Sequence, residues 1–109
     1  MIPKTSTLKP FKENVIITKF DFYKIDMPTI LFIYGWRLFF YSNEGSEPIH
    51  VHAQKADMEC KYWILVDEVE IKEEFAFNLT PAAKREIKKI IYQHFDFIIE
   101  SWNIHFKNK

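Results

Sequence analysis

The chain has 109 residues, enough for one domain that buries a core without disulfides or metal and too few for a second. Hydrophobic residues make up 48% and aromatics 17%, with eleven Phe against two Gly, which excludes a disordered or low-complexity chain. Fifteen Lys plus Arg balance fifteen Asp plus Glu, so no whole-molecule field draws the protein onto a nucleic-acid backbone, although a local basic patch is compatible with that balance.

Residues 1–26 read as an N-terminal arm: Pro3 and Pro10 sit among polar neighbours, and an added strand is expected over Val15 to Phe22. The opening MIPKTSTLKPFK lacks the apolar core of a signal peptide, and the single Cys60 cannot close an internal disulfide, so a cytoplasmic protein is expected. The longest apolar runs, TILFIY and LFFY, fall well short of the roughly 18 residues that span a bilayer, and no membrane insertion is expected.

Residues 27–109 form the domain proper. Strands are predicted at Thr29 to Tyr34 and Trp36 to Ser42, hinged at Gly35, with Trp36, Leu38 and Phe40 on one face and Arg37, Phe39 and Tyr41 on the other. The turn formers Asn43 to Pro48 interrupt the pattern. A strand over Ile49 to Gln54 follows, sending His50 and His52 to one side, about 6 to 7 Å apart by the strand rise. Met58 to Val66 and a short Asp67 to Lys72 complete the sheet. Thr80-Pro81 then opens one long helix to Phe106, with a hydroxyl cap and a proline where its missing donor costs nothing. Ile87, Ile91, His94, Ile98 and Trp102 form its apolar stripe. The fold class is therefore α+β, an antiparallel sheet of four to six strands packed against one long C-terminal helix. At 1.5 Å per residue that helix would run roughly 40 Å, so it bends or its end meets another chain.

With the apolar faces turned inward, Arg37, Tyr41, His50, His52, Glu59 and Lys61 share the opposite face. Two imidazoles near neutral pKa can move protons while Arg37 or Lys61 stabilises charge on a phosphate, which is the inventory of metal-independent RNA cleavage. His50, His52, Arg37, Lys61 and Glu59 are thus the catalytic candidates, and Tyr41, Asn43 and Trp63 the binding candidates. Metal binding by the two histidines would need help from Glu59, His105, Asp57 or a second chain, and no metal or cofactor is assigned. The alternative is that both imidazoles face solvent and Lys61 pairs with Glu59 or Glu44. The expected placement puts His50 and His52 beside Lys61 and away from the helix; either imidazole beneath Trp102 would refute that site. His94 and His105 lie along the helix stripe, and Cys60 alternates with the core set as a small buried hydrophobe. Phe95, Phe97, Trp102, Ile104 and Phe106 cover more of the helix than one sheet can mask, so they are the expected interface for a homodimer or a cognate protein.

Gly35, Arg37, Phe39-Phe40-Tyr41-Ser42-Asn43-Glu44, Pro48, His50-Val51-His52, Asp57, Lys61-Tyr62-Trp63, Phe77-Asn78 and Glu100-Ser101-Trp102 together resemble the small bacterial domain-of-unknown-function family 4160. The resemblance covers residues 27–106 and starts at Met27-Pro28-Thr29-Ile30. Members typically carry Pro-Pro-His-x-His; Ile49 replaces the second proline here and leaves the His spacing intact. The resemblance implies a component of a toxin–antitoxin-type gene pair, with a small partner protein from the neighbouring gene and RNA as the candidate target. A non-enzymatic module that binds its partner through the C-terminal helix is the alternative.

Overall fold

The computed structural model describes residues 29–107, in which five strands pair antiparallel in chain order. They are β1 (Thr29–Ile33), β2 (Trp36–Phe39), β3 (His50–Lys55), β4 (Met58–Leu65) and β5 (Glu70–Phe77). Helices α1 (Pro81–Gln93) and α2 (Phe95–Lys107) follow. The arm at residues 1–26, with its expected strand at Val15 to Phe22, lies outside the described residues.

Short turns hold the strands in sequence. Between β1 and β2 both turn residues are left-handed, Tyr34 at φ 51° and Gly35 at φ 84°, the conformation that suits the twist of a tight hairpin. A Cβ at Gly35 would also lie 3.0 Å from the Lys55 side chain. The two-residue period then divides the sheet: Trp36, Leu38, Val51, Ala53, Cys60, Tyr62 and Ile64 face the helices and are almost wholly buried. Against them α1 lays Ile87, Ile90 and Ile91, and α2 lays Phe95, Ile98 and Trp102. Each such side chain contributes about 1.5–3 kcal/mol on full burial, so this layer is the main source of stability.

The helical region departs from the expected single rod. Thr80 Oγ1 accepts from the Ala83 amide at 3.0 Å and Pro81 occupies the first turn, as predicted. At His94, however, the backbone leaves helical geometry (φ −117°, ψ 27°) and the amide is shared between the Ile90 and Ile91 carbonyls. An unbroken helix from Pro81 to Phe106 would measure about 39 Å, more than the 36 Å longest dimension of the structure. The break lets both halves of the stripe stay buried: Ile87 and Ile91 before it, Ile98 and Trp102 after it.

Two strands also differ in extent by more than a residue. The last strand begins at Glu70, because Asp67 to Val69 form a turn with Val69 left-handed at φ 52°, and it continues to Phe77 along β4. At the other end β2 stops at Phe39, and Ser42–Glu44 coil into a 3-10 turn. That second difference shapes the site.

Candidate functional site

The 3-10 turn folds Glu44 back over the open face of the sheet. The Glu44 amide donates to the Tyr41 carbonyl at 3.1 Å, and the Tyr41 amide donates to Glu44 Oε1 at 3.0 Å. This reciprocal pair fixes both the turn and the carboxylate. On β3, His52 stands opposite Lys61 and His50 opposite Trp63. The carboxylate of Glu44 sits between the two imidazoles, with Oε1 2.8 Å from His50 Nε2 and Oε2 2.9 Å from His52 Nε2. All three side chains are buried: His50 is 0% exposed, His52 4% and Glu44 8%.

Aromatic rings wall the cluster. His52 stacks on Phe39 at 5.2 Å and meets Tyr41 edge-on at 4.7 Å. His50 lies edge-on to Trp63 at 5.1 Å and to Trp102 at 5.0 Å. A groove of about 240 Å³ opens alongside, lined by Pro48, Ile49, Trp63, Ile64, Leu65 and Lys72, and neither imidazole lines it.

Partners assign the protons. His50 Nδ1 is 2.9 Å from the Pro48 carbonyl, which only accepts, so Nδ1 carries a hydrogen and donates it. In a neutral ring the His50 Nε2 lone pair then faces the Glu44 carboxylate. For Glu44, burial pushes the pKa up, yet hydrogen bonds from His52 and the Tyr41 amide outweigh it and hold the group below its ordinary 4.5. Burial also dominates at His52, where it disfavours the imidazolium and holds the ring below its ordinary 6.5 despite the neighbouring carboxylate. Near neutral pH, then, Glu44 is ionised and a neutral His52 donates its Nε2 hydrogen to it.

The sequence reading placed His50 and His52 on the Lys61 face, and they are there. It also placed them away from the helix, and this is corrected: His50 is fully buried and touches Trp102. The cause is double cover, from the Glu44 turn on one side and the end of α2 on the other. The alternative in which both imidazoles face solvent is overturned by the same burial. Lys61 does pair with an acidic residue, but with Glu47 at 3.3 Å, while its ammonium lies 4.4 Å from the Trp63 ring. Arg37 sits further along the sheet opposite Gln54, donating to Thr29 Oγ1 at 2.7 Å and lying 4.4 Å over Phe39. Glu59 is opposite Gln54 and Phe77, away from the imidazoles. Tyr41 and Trp63 contact the histidines, whereas Asn43 is exposed on the turn. Trp63 Nε1 donates to Glu74 at 2.7 Å.

Of the expected interface residues, Phe95 and Trp102 belong to the core and Phe106 is partly buried; Phe97 and Ile104 remain 44% and 60% exposed. Cys60 is buried as expected, and burial first, then Glu73 and Glu59, push its thiol up to about 12, which excludes a thiolate at neutral pH. Glu44, the centre of the cluster, is expected from the sequence as a turn former and an alternative partner for Lys61, not as a partner of the histidines. Its signal was the shortness of the Asn43 to Pro48 turn, which confines a carboxylate near the first residue of β3.

Among the described residues no helix is long and apolar enough to cross a membrane. No curated protein and no solved structure matches the chain. The family model described as "Domain of unknown function (DUF4160)" matches residues 35–103, a span that begins at the β1–β2 turn, carries the whole Glu44, His50 and His52 cluster, and ends one residue beyond Trp102; the chain belongs to that family.

Proposed function

We propose that this chain is a cytoplasmic, non-enzymatic binding component of a toxin–antitoxin-type pair, and that it holds a small cognate protein through α2. The observation that carries this reading is the exposure of Phe97 and Ile104. Seven positions apart, they share one side of the helix, outside the stripe that packs on the sheet. Large apolar groups left in water favour a covering surface. The burial of His50 and His52 weighs in the same direction, since a general acid and base must reach the substrate proton.

A second reading, contact with RNA through the open sheet face, is favoured by Phe32, Phe75 and Phe77. They are exposed on the face that carries Arg37 and Lys61, and bases stack on such rings. It ranks second because Lys61 is already paired and the chain has no net charge.

The test is co-purification with the neighbouring gene product. Phe97→Glu with Ile104→Glu should abolish the complex while leaving thermal unfolding unchanged, and Phe75→Ala with Phe77→Ala should not affect it. A complex that survives the α2 substitutions defeats the helix reading. RNA retention that is lost in the Phe75 and Phe77 variant would support the sheet reading instead. A His50→Ala, His52→Ala variant is a poor probe of chemistry, because both rings are part of the packed interior.

A further inference from the structure

We propose that Glu44, His50 and His52 form a binding site for one divalent first-row transition-metal ion, with Zn²⁺ as the reference ligand. The proposal is independent of the binding reading above. It starts from an electrostatic conflict: His50 Nδ1 is committed as a donor to the Pro48 carbonyl at 2.9 Å, so Nε2 of the neutral ring aims a lone pair at a carboxylate oxygen 2.8 Å away. Two acceptors at that distance, in a place without solvent, repel. A proton on His50 relieves this by burying an imidazolium, which costs desolvation. A metal cation relieves it by accepting both lone pairs.

The donor set suits a metal in three respects. The three ligand atoms lie within 4.8 Å of one another and come from two imidazoles and a carboxylate, the types that Zn²⁺ and other borderline divalent ions take. Bonds of about 2.0–2.1 Å at tetrahedral angles place ligand atoms roughly 3.3 Å apart, so the observed 2.8 and 2.9 Å separations need to open by about half an ångström. Outside the cluster, the Nδ1 hydrogen bond of His50 to a backbone carbonyl is the outer contact that fixes the tautomer and ring orientation of metal-bound histidines. The 3-10 turn plays the same part for Glu44 through the Tyr41 amide. Binding displaces the Nε2 hydrogen of His52 onto Nδ1, which has no hydrogen-bond acceptor among the described residues and packs against Phe39 and Tyr41. That step is a change of tautomer within a neutral ring, so no net proton leaves the site. Three protein ligands leave at least one coordination position for water or another ligand.

The experiment is titration of the chelator-dialysed full chain with Zn²⁺ by calorimetry, with Co²⁺ as a spectroscopic substitute. One saturable equivalent is expected, with visible ligand-field absorption for Co²⁺. Glu44→Gln and His52→Gln should each weaken binding by more than the roughly 10–100-fold that loss of an outer-shell partner costs. Should either variant fail to fold, long-range ¹H–¹⁵N spectra of the unaltered protein decide: the Nε2 resonances of His50 and His52 must move on adding Zn²⁺ while those of His94 and His105 stay in place. Absence of saturable binding, undiminished binding in the variants, or unmoved Nε2 resonances overturns the site and leaves a buried imidazolium–carboxylate cluster as the resolution of the conflict.

Discussion

Replacement of Glu44 by Ala, in the presence of chelator, isolates what the carboxylate contributes to the fold. The change leaves two donors without an acceptor, the Tyr41 amide now 3.0 Å from Oε1 and His52 Nε2–H now 2.9 Å from Oε2. Hydrogen bonds to a charged partner contribute about 1.5–3 kcal/mol each, and breaking a buried pair by removing one member costs about 3–5 kcal/mol. Because Asn43 and Gly45 beside the turn are exposed, water can reach the Tyr41 amide after a small movement, which places the expected loss near the lower end, about 3 kcal/mol. In a domain of this size that corresponds to a fall in Tm of about 12 °C or more. The control is Glu47→Ala, three residues along, whose carboxylate is 41% exposed and holds Lys61 at 3.3 Å; exposed pairs of this kind contribute about 0–1 kcal/mol. Urea unfolding followed by tryptophan fluorescence measures both variants at neutral pH. Equal losses for the two variants would show that Glu44 is as well solvated as Glu47, and the argument for a buried carboxylate between two imidazoles would fail.

Acid should destabilise the protein in two stages. The folded His52 lies below its ordinary 6.5 and the folded Glu44 below its ordinary 4.5, so for both groups the unfolded chain binds protons more readily than the native one. The contribution of His52 is complete above 6.5 and lost as pH falls through its lower folded value; that of Glu44 follows below 4.5. Tm measured against pH in chelator should therefore fall from neutrality downward, and His52→Gln should flatten the upper stage; a Tm that rises on mild acidification contradicts the assignment. Trp102→Ala should cost about 3–5 kcal/mol as a buried large-to-small change, since the ring is 5% exposed and packs on Phe40 at 5.1 Å, His50 at 5.0 Å and Phe106 at 4.3 Å. Urea unfolding checks the loss, and an unchanged His50 ring resonance in that variant would show that Trp102 does not cover the imidazole.

Periodicity carried most of the fold, because alternation and helical spacing report which side chains must be dry. Trp36 and Leu38, Val51 and Ala53, Cys60 and Ile64, and Ile87, Ile91, Ile98 and Trp102 were all placed by spacing alone, and all are buried. What spacing cannot report is cover from outside the element. His50 and His52 occupy the polar phase of their strand, and nothing in that strand announces that a carboxylate will descend on them from a turn. The break at His94 is invisible for a related reason: the apolar stripe runs through it, there is no Pro or Gly, and the bend is imposed by the size of the sheet the two helices must follow. The strand at Glu70–Phe77 was seen only in its first residues, since Glu73, Glu74, Phe75 and Phe77 are all exposed and the pattern of an edge strand with a bulge is blurred.

The two covers of the histidines are one structure. Gly45 has an ordinary helical backbone at φ −65°, so conformation does not require glycine there; a close approach does, because a Cβ would fall 2.7 Å from Phe106 Cδ1. The residue after Glu44 therefore rests on the last turn of α2, and Phe106 in turn packs on Trp102, the ring that meets His50. Turn, helix end and imidazole close a loop of contacts around the carboxylate. Helix α2 also carries Phe97 and Ile104 on its outer side, so a partner seated on that stripe touches the same rigid element that holds Trp102 and Phe106 in place. A shift of α2 by a few tenths of an ångström reaches Gly45 directly, and with it the Glu44 carboxylate.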